Sequence, residues 1–77
     1  MNIQDQVIRI LKSIKPGRDL TDVDHLVDGG YLDSLELMAL IAGLSDAFQI
    51  EISFEDIVPE NFHSVAAIAA LVEKRKK

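Results

Sequence analysis

Asp33-Ser34-Leu35-Glu36-Leu37-Met38-Ala39-Leu40-Ile41 reads as the head of an apolar helix entered from a loop. Asp33 is placed to cap that helix by accepting a backbone N–H bond. Glu36, three residues on, completes an acidic form of the capping box. Ser34 then falls at the first helical position, its hydroxyl beside free N–H groups and the positive end of the helix dipole. Such an environment suits a phosphate attached to the serine. The helix is expected from about Ser34 to Phe48, with Leu37, Leu40, Ile41, Leu44 and Phe48 on its inner stripe and Leu35 and Met38 partly off it.

Upstream, Ile3, Val7, Ile10, Leu11 and Ile14 recur at helical spacing, with Arg9 and Lys12 on the other face. Pro16-Gly17 stops this first helix. The connection from Arg18 to Leu32 is long for a small domain. Leu20, Val23, Leu26, Val27 and Tyr31 predict that it lies across the bundle, and Gly29-Gly30 frees the backbone just before the serine. Downstream, Gln49-Ile50-Glu51-Ile52 alternates like a strand but has no partner strand, so it reads as an extended link. Ser53-Phe54-Glu55-Asp56 is a capping-box pattern opening a very short third helix, which Pro59 is expected to end. Val65, Ile68, Leu71 and Val72 mark a fourth helix starting near Ser64. The reading is all-α: a small antiparallel four-helix bundle of three main helices and one short one, with a long loop between helices 1 and 2. No repeat or second domain is visible, so residues 1–77 read as one domain.

The chain of 77 residues is 48 % hydrophobic yet only 5 % aromatic, so its core is aliphatic. It contains no cysteine, which fits a reducing compartment and means that any thiol chemistry must arrive on something added. The start, Met1-Asn2-Ile3-Gln4-Asp5, lacks the basic, apolar pattern of a signal peptide, and the apolar run Leu37 to Leu44 is too short to span a bilayer. A cytoplasmic protein without membrane insertion is expected. The net charge is −5, and every acidic residue except Asp5 lies between Asp19 and Glu73, a stretch without Lys or Arg. A surface of that sign repels nucleic acid and anionic lipid and steers toward basic protein partners. The basic run Lys74-Arg75-Lys76-Lys77 complements the negative end of the last helix.

Chemistry carried by the bare chain is poorly supported. Counted as a calcium loop from Asp22, with Asp24 and Asp28, the fifth and sixth positions are Leu26 and Val27, where an oxygen ligand and a glycine belong. His25 and His63 are too isolated to suggest zinc, so no metal site is expected. Ser34 lacks the glycine-flanked elbow of serine hydrolases, and a bundle this small leaves little room for a substrate pocket. The chain does not read as an enzyme. An exposed serine without a base is a poor nucleophile, so another protein must modify it.

These features together resemble the acyl carrier proteins, small acidic bundles that bear a 4′-phosphopantetheine arm on a serine. The resemblance rests on Asp33-Ser34-Leu35 heading the second helix, Phe48 closing it at the family's usual distance, Ile50-Glu51-Ile52, the short acidic third helix and the final apolar helix. It covers essentially the whole chain.

The resemblance implies that a phosphopantetheinyl transferase moves the arm from coenzyme A to the Ser34 hydroxyl, with Asp33 helping that enzyme dock or place its magnesium. The arm's thiol would hold acyl intermediates as thioesters for delivery to partner enzymes in a dedicated biosynthetic pathway. An alternative is an aminoacyl carrier, of D-alanyl or peptidyl type, loaded by an adenylating ligase. A different class, an unmodified acidic helical interaction module, would share the bundle and the charge but use Ser34 as a plain helix cap. Partner synthases or ligases would dock on the second helix, the loop before it and the short third helix. Leu35, Met38 and Ile52 are candidate apolar contacts, and Glu36, Asp46, Glu55 and Asp56 candidate steering acids. A monomer is expected. Ala39 stands where fatty-acid carriers typically have Glu, and Gly43-Leu44-Ser45-Asp46 is similarly poor in acid. Gly30-Tyr31-Leu32-Asp33-Ser34 resembles aminoacyl and other stand-alone carriers loaded by adenylating ligases, and these departures favour a dedicated carrier with a small set of partners, D-alanyl-type or secondary-metabolite systems included, over housekeeping fatty acid synthesis.

Overall fold

The structure, a computed structural model, describes residues 2–21 and 23–76. Along them run α1 (Ile3–Ile14), α2 (Ser34–Phe48), a single 3-10 turn (Phe54–Asp56), α3 (Pro59–Phe62) and α4 (Val65–Lys76). There is no strand among the described residues, and none of their helices is long and apolar enough to cross a membrane. The small all-helical bundle read from the sequence is the fold observed.

α1 begins at Asn2, whose side chain accepts the Asp5 N–H at 2.8 Å, and closes at Lys15, whose N–H donates to Leu11. It packs along both α2 and α4, while α3 sits on α4. Val7 and Leu11 of α1, Leu40, Ile41 and Leu44 of α2, and Val65, Ile68, Leu71 and Val72 of α4 meet in one aliphatic core. The outlying stripe residues Ile3, Ile10, Ile14, Leu37 and Phe48 pack half-buried against it. α2 ends at Gln49, which takes a left-handed conformation (φ 55°, ψ 48°) and holds it by donating from Nε2 to the Asp46 carbonyl at 2.7 Å.

The long connection belongs to this core. Leu20, Leu26 and Leu32 are buried in it, and Val23, Val27 and Tyr31 lie half-buried. Leu26 donates its N–H to the His63 carbonyl, and its own carbonyl accepts from both Tyr31 and Leu32. The turn that makes this possible brings Gly29 so close to His25 that a Cβ would lie 2.3 Å from its Cδ2 and 2.6 Å from its carbonyl oxygen. Only glycine fits there without a shift. Asp22, read above as the start of a failed calcium loop, lies outside the described residues.

One expectation is corrected. Ser53 opens not a helix but a lone 3-10 turn, and Pro59 does not end a helix; it begins α3. A proline at the first helical position gives up an N–H that would have no partner anyway, and its fixed φ suits entry. Val58 before it is extended (φ −129°, ψ 151°), as a residue preceding proline prefers.

Candidate functional site

The loop reaches α2 from a fixed direction because Leu32 is buried immediately before Asp33. Asp33 accepts the Glu36 N–H at 2.8 Å, and Glu36 Oε1 accepts the Asp33 N–H at 3.0 Å, so both halves of the capping box are made. Glu36 Oε2 meets Lys15 Nζ at 2.9 Å. The Asp33 N–H first, and Lys15 second, hold the Glu36 carboxyl below its ordinary range. Behind the loop, the Arg18 guanidinium lies 5.4 Å from the centroid of the Tyr31 ring, and the His25 ring meets that ring edge-on at 5.7 Å.

Ser34 stands exposed on this frame at the first position of α2. The serines that open the later helical elements are spent: Ser53 Oγ donates to Asp56, and Ser64 Oγ accepts the Ala67 N–H. The Ser34 hydroxyl has no such commitment, and the first N–H groups of α2 around it carry the positive end of the helix dipole. An accessible hydroxyl beside that partial charge fits a phosphodiester linkage.

The remaining residues singled out in the sequence divide by exposure. Leu35 and Met38 stand out from α2, 82 % and 56 % exposed, and Asp46 and Glu55 are also exposed. Ile52 is half-buried against the core, and Glu36 is occupied by the cap and Lys15.

Asp56 departs most from its expected place. It is 5 % exposed, with Oδ2 accepting from the Ser53 N–H and hydroxyl and Oδ1 accepting from Arg75. The Arg75 hydrogen bond chiefly holds its carboxyl below the usual range. Asp56 therefore fastens its own turn to α4 and is not a surface steering acid. Phe54, 89 % exposed, was not singled out by the residue pattern. The capping box offered a signal, since it puts Phe54 at the same outward first position that Asp33 gives Ser34.

An apolar recess of about 140 Å3 lies between the connection, α2 and α3, lined by Val27, Leu37, Ile57, Val58, Pro59 and Phe62. Among the described residues no group of His, Asp or Glu is placed to hold a metal ion.

The model of a family described as "Phosphopantetheine attachment site" matches residues 3–72. Aminoacyl carrier protein 1 of Bradyrhizobium diazoefficiens is 31 % identical over 75 residues, covering 92 % of this chain and 82 % of the relative. No solved structure gives a significant match.

Proposed function

Because the chain belongs to the phosphopantetheine attachment-site family, we propose that Ser34 is the residue on which it bears the family's covalent 4′-phosphopantetheine. Proteins of this family are carriers and not catalysts, and they work with phosphopantetheinyl transferases and with synthetases or ligases. The observation that carries the assignment to Ser34 is its exposed, uncommitted hydroxyl at a fully capped helix start, where Ser53 and Ser64 have theirs engaged. When attached, the arm supplies a thiol that a cysteine-free chain lacks and that can take a carboxylic cargo as a thioester. Asp33 fixes the backbone at the point of attachment and leaves its carboxylate exposed to a transferase or its magnesium.

The cargo we favour is an aminoacyl group delivered by an adenylating ligase, with a short acyl group as the second reading. The similarity to an aminoacyl carrier protein supports the first. Leu35, Met38, Asp46 and Glu55, with the half-buried Ile52, form the proposed docking set. We take the chain to act as one domain and a monomer in the cytoplasm; the acidic middle of the chain supports its meeting proteins and not nucleic acid.

The test is intact mass after incubation with coenzyme A and a promiscuous phosphopantetheinyl transferase. The wild-type chain should gain one phosphopantetheine and Ser34→Ala none. No gain in the wild type, or an equal gain in S34A, overturns the assignment.

A further inference from the structure

Ser34 stands between two carboxylates. The Asp33 and Glu36 side chains each accept the other residue's N–H across it, and each brings a negative charge to the first turn of α2. A phosphodiester on Ser34 is ionised at any pH the fold meets, so loading sets a third negative charge between them. The first N–H groups of α2 answer part of that charge. The rest calls for a cation, and the sequence from Asp19 to Glu73 supplies no Lys or Arg.

The cations outside that stretch are placed unequally. Arg75 is committed to Asp56, and Lys76 lies over the ring of Phe48, the last residue of α2 and so at its far end. Arg18 lies over the ring of Tyr31 and makes no bond to the cap among the described residues. Lys15, closing α1, is the cation brought to the head of α2. Its Nζ meets Glu36 Oε2 at 2.9 Å, while Glu36 Oε1 holds the Asp33 N–H. One carboxylate thus separates the ammonium from the backbone that carries Ser34. The Lys15 and Glu36 side chains are only 31 % and 24 % exposed, so the pair is screened less than one on open surface. An ammonium has three donors, and Glu36 engages one.

We propose that Lys15 is the counter-charge of the arm's phosphodiester, one ammonium shared between Glu36 and the group on Ser34. This rests on the carrier reading above. The ion pair then has two tasks. In the bare chain it ties α1 to the cap of α2, and in the loaded chain the same cation offsets the charge that loading introduces. Lys15 is a positioning residue, restraining the root of the arm and taking no part in making its bond.

The test compares thermal unfolding of the full chain, bare and loaded from coenzyme A by a promiscuous transferase, with loading at Ser34 verified by intact mass. Asp33 and Glu36 flank Ser34 in the unfolded chain too, whereas Lys15 is brought to the cap only by folding. The pairing therefore reads out as a coupling between Lys15 and the loaded group. At low salt, Lys15→Gln should lower the melting temperature of the loaded chain by about 2 °C or more beyond what it costs the bare chain. Lys15→Arg should keep the wild-type difference, and Arg18→Gln should cost both forms equally. The excess should survive in a Glu36→Gln background, where the cap keeps an acceptor and the ammonium loses its other partner. The phosphorus NMR resonance of the loaded chain should move with Lys15→Gln and stay in place with Arg18→Gln.

Equal losses in the bare and loaded forms of Lys15→Gln overturn the counter-charge. So does an excess that disappears with Glu36→Gln, since Lys15 would then act on Glu36 alone. An excess that Arg18→Gln reproduces overturns it as well, because a general basic field would be responsible. All three outcomes leave the carrier reading standing. A wild-type chain that takes no phosphopantetheine at Ser34 sinks that reading, and the counter-charge with it.

Discussion

Lys15, which closes α1, holds Glu36 of α2 at 2.9 Å, and Glu36 reaches with its other oxygen to the Asp33 N–H. The end of the first helix is thereby tied to the cap of the second across the whole intervening connection. Ser34 sits inside that tie, between Asp33 and Glu36. The serine is thus fixed by its neighbours' side chains while its own remains free.

The cap is the part of this tie whose loss is easiest to read. Asp33→Ala removes the acceptor of the Glu36 N–H and should destabilise the fold by about 1 kcal/mol, whereas Asp33→Asn, nearly as good a cap, should stay within a few tenths. Urea unfolding midpoints at neutral pH measure both. If the two variants shift equally, the carboxylate charge and not the cap geometry is what matters at this position.

A second prediction concerns the connection. Leu26 is fully buried although it lies in a loop, and its backbone bonds both to His63 and to the Tyr31-Leu32 step that leads into the serine. Leu26→Ala should therefore behave as a core truncation, costing about 2–5 kcal/mol. In a domain of this size that is a large share of the total stability. Thermal unfolding with amide hydrogen exchange would check it. Exchange across 18–32 that is already fast in the wild type would show that the connection is not part of the core.

The glycines separate in the same way. Gly29→Ala drives a Cβ into the His25 carbonyl and ring and should destabilise by about 1–3 kcal/mol. Gly17 has nothing within 4 Å of an added Cβ, so Gly17→Ala should be neutral or slightly stabilising, by up to about 1 kcal/mol. Paired melting curves decide it, and a tolerated Gly29→Ala would mean that the turn at His25 relaxes freely.

These residues also show what could be read from the chain beforehand. α2 is found over the expected range, with its expected cap, because a long helix displays its period and its capping residues together. The packing of the connection was legible in Leu20, Leu26 and Tyr31, apolar residues that an idle loop has no reason to carry. The segment from Ser53 to Phe62 was not legible in the same way. Three residues of 3-10 turn and four of α3 are too short to express a period, and Pro59 is compatible with either end of a helix until its neighbours are placed. Asp56 illustrates the same limit at the site. Its acid is indistinguishable in the sequence from Glu55, and only the return of α4 lets Arg75 hydrogen-bond to one and not the other.

The pair of Asp56 and Arg75 makes the last prediction. Arg75 first, and then the Ser53 N–H and hydroxyl, hold the Asp56 carboxyl below its ordinary range, against the opposing effect of its burial. The folded state therefore keeps Asp56 ionised at pH values where the unfolded chain already binds a proton. The stability this contributes is complete above the ordinary aspartate range, near pH 4, and is lost as pH falls through the lowered value. Asp56→Asn lacks that dependence, so it should be less stable than the wild type at neutral pH and approach it on acidification. Glu36 and Asp19, whose carboxyls are also held low, titrate in both proteins and cancel in the difference. Denaturant unfolding of both chains from neutral pH into the acid range gives the difference directly. A gap between the two that stays constant through that range would mean that the Asp56 charge does not fasten the turn to α4.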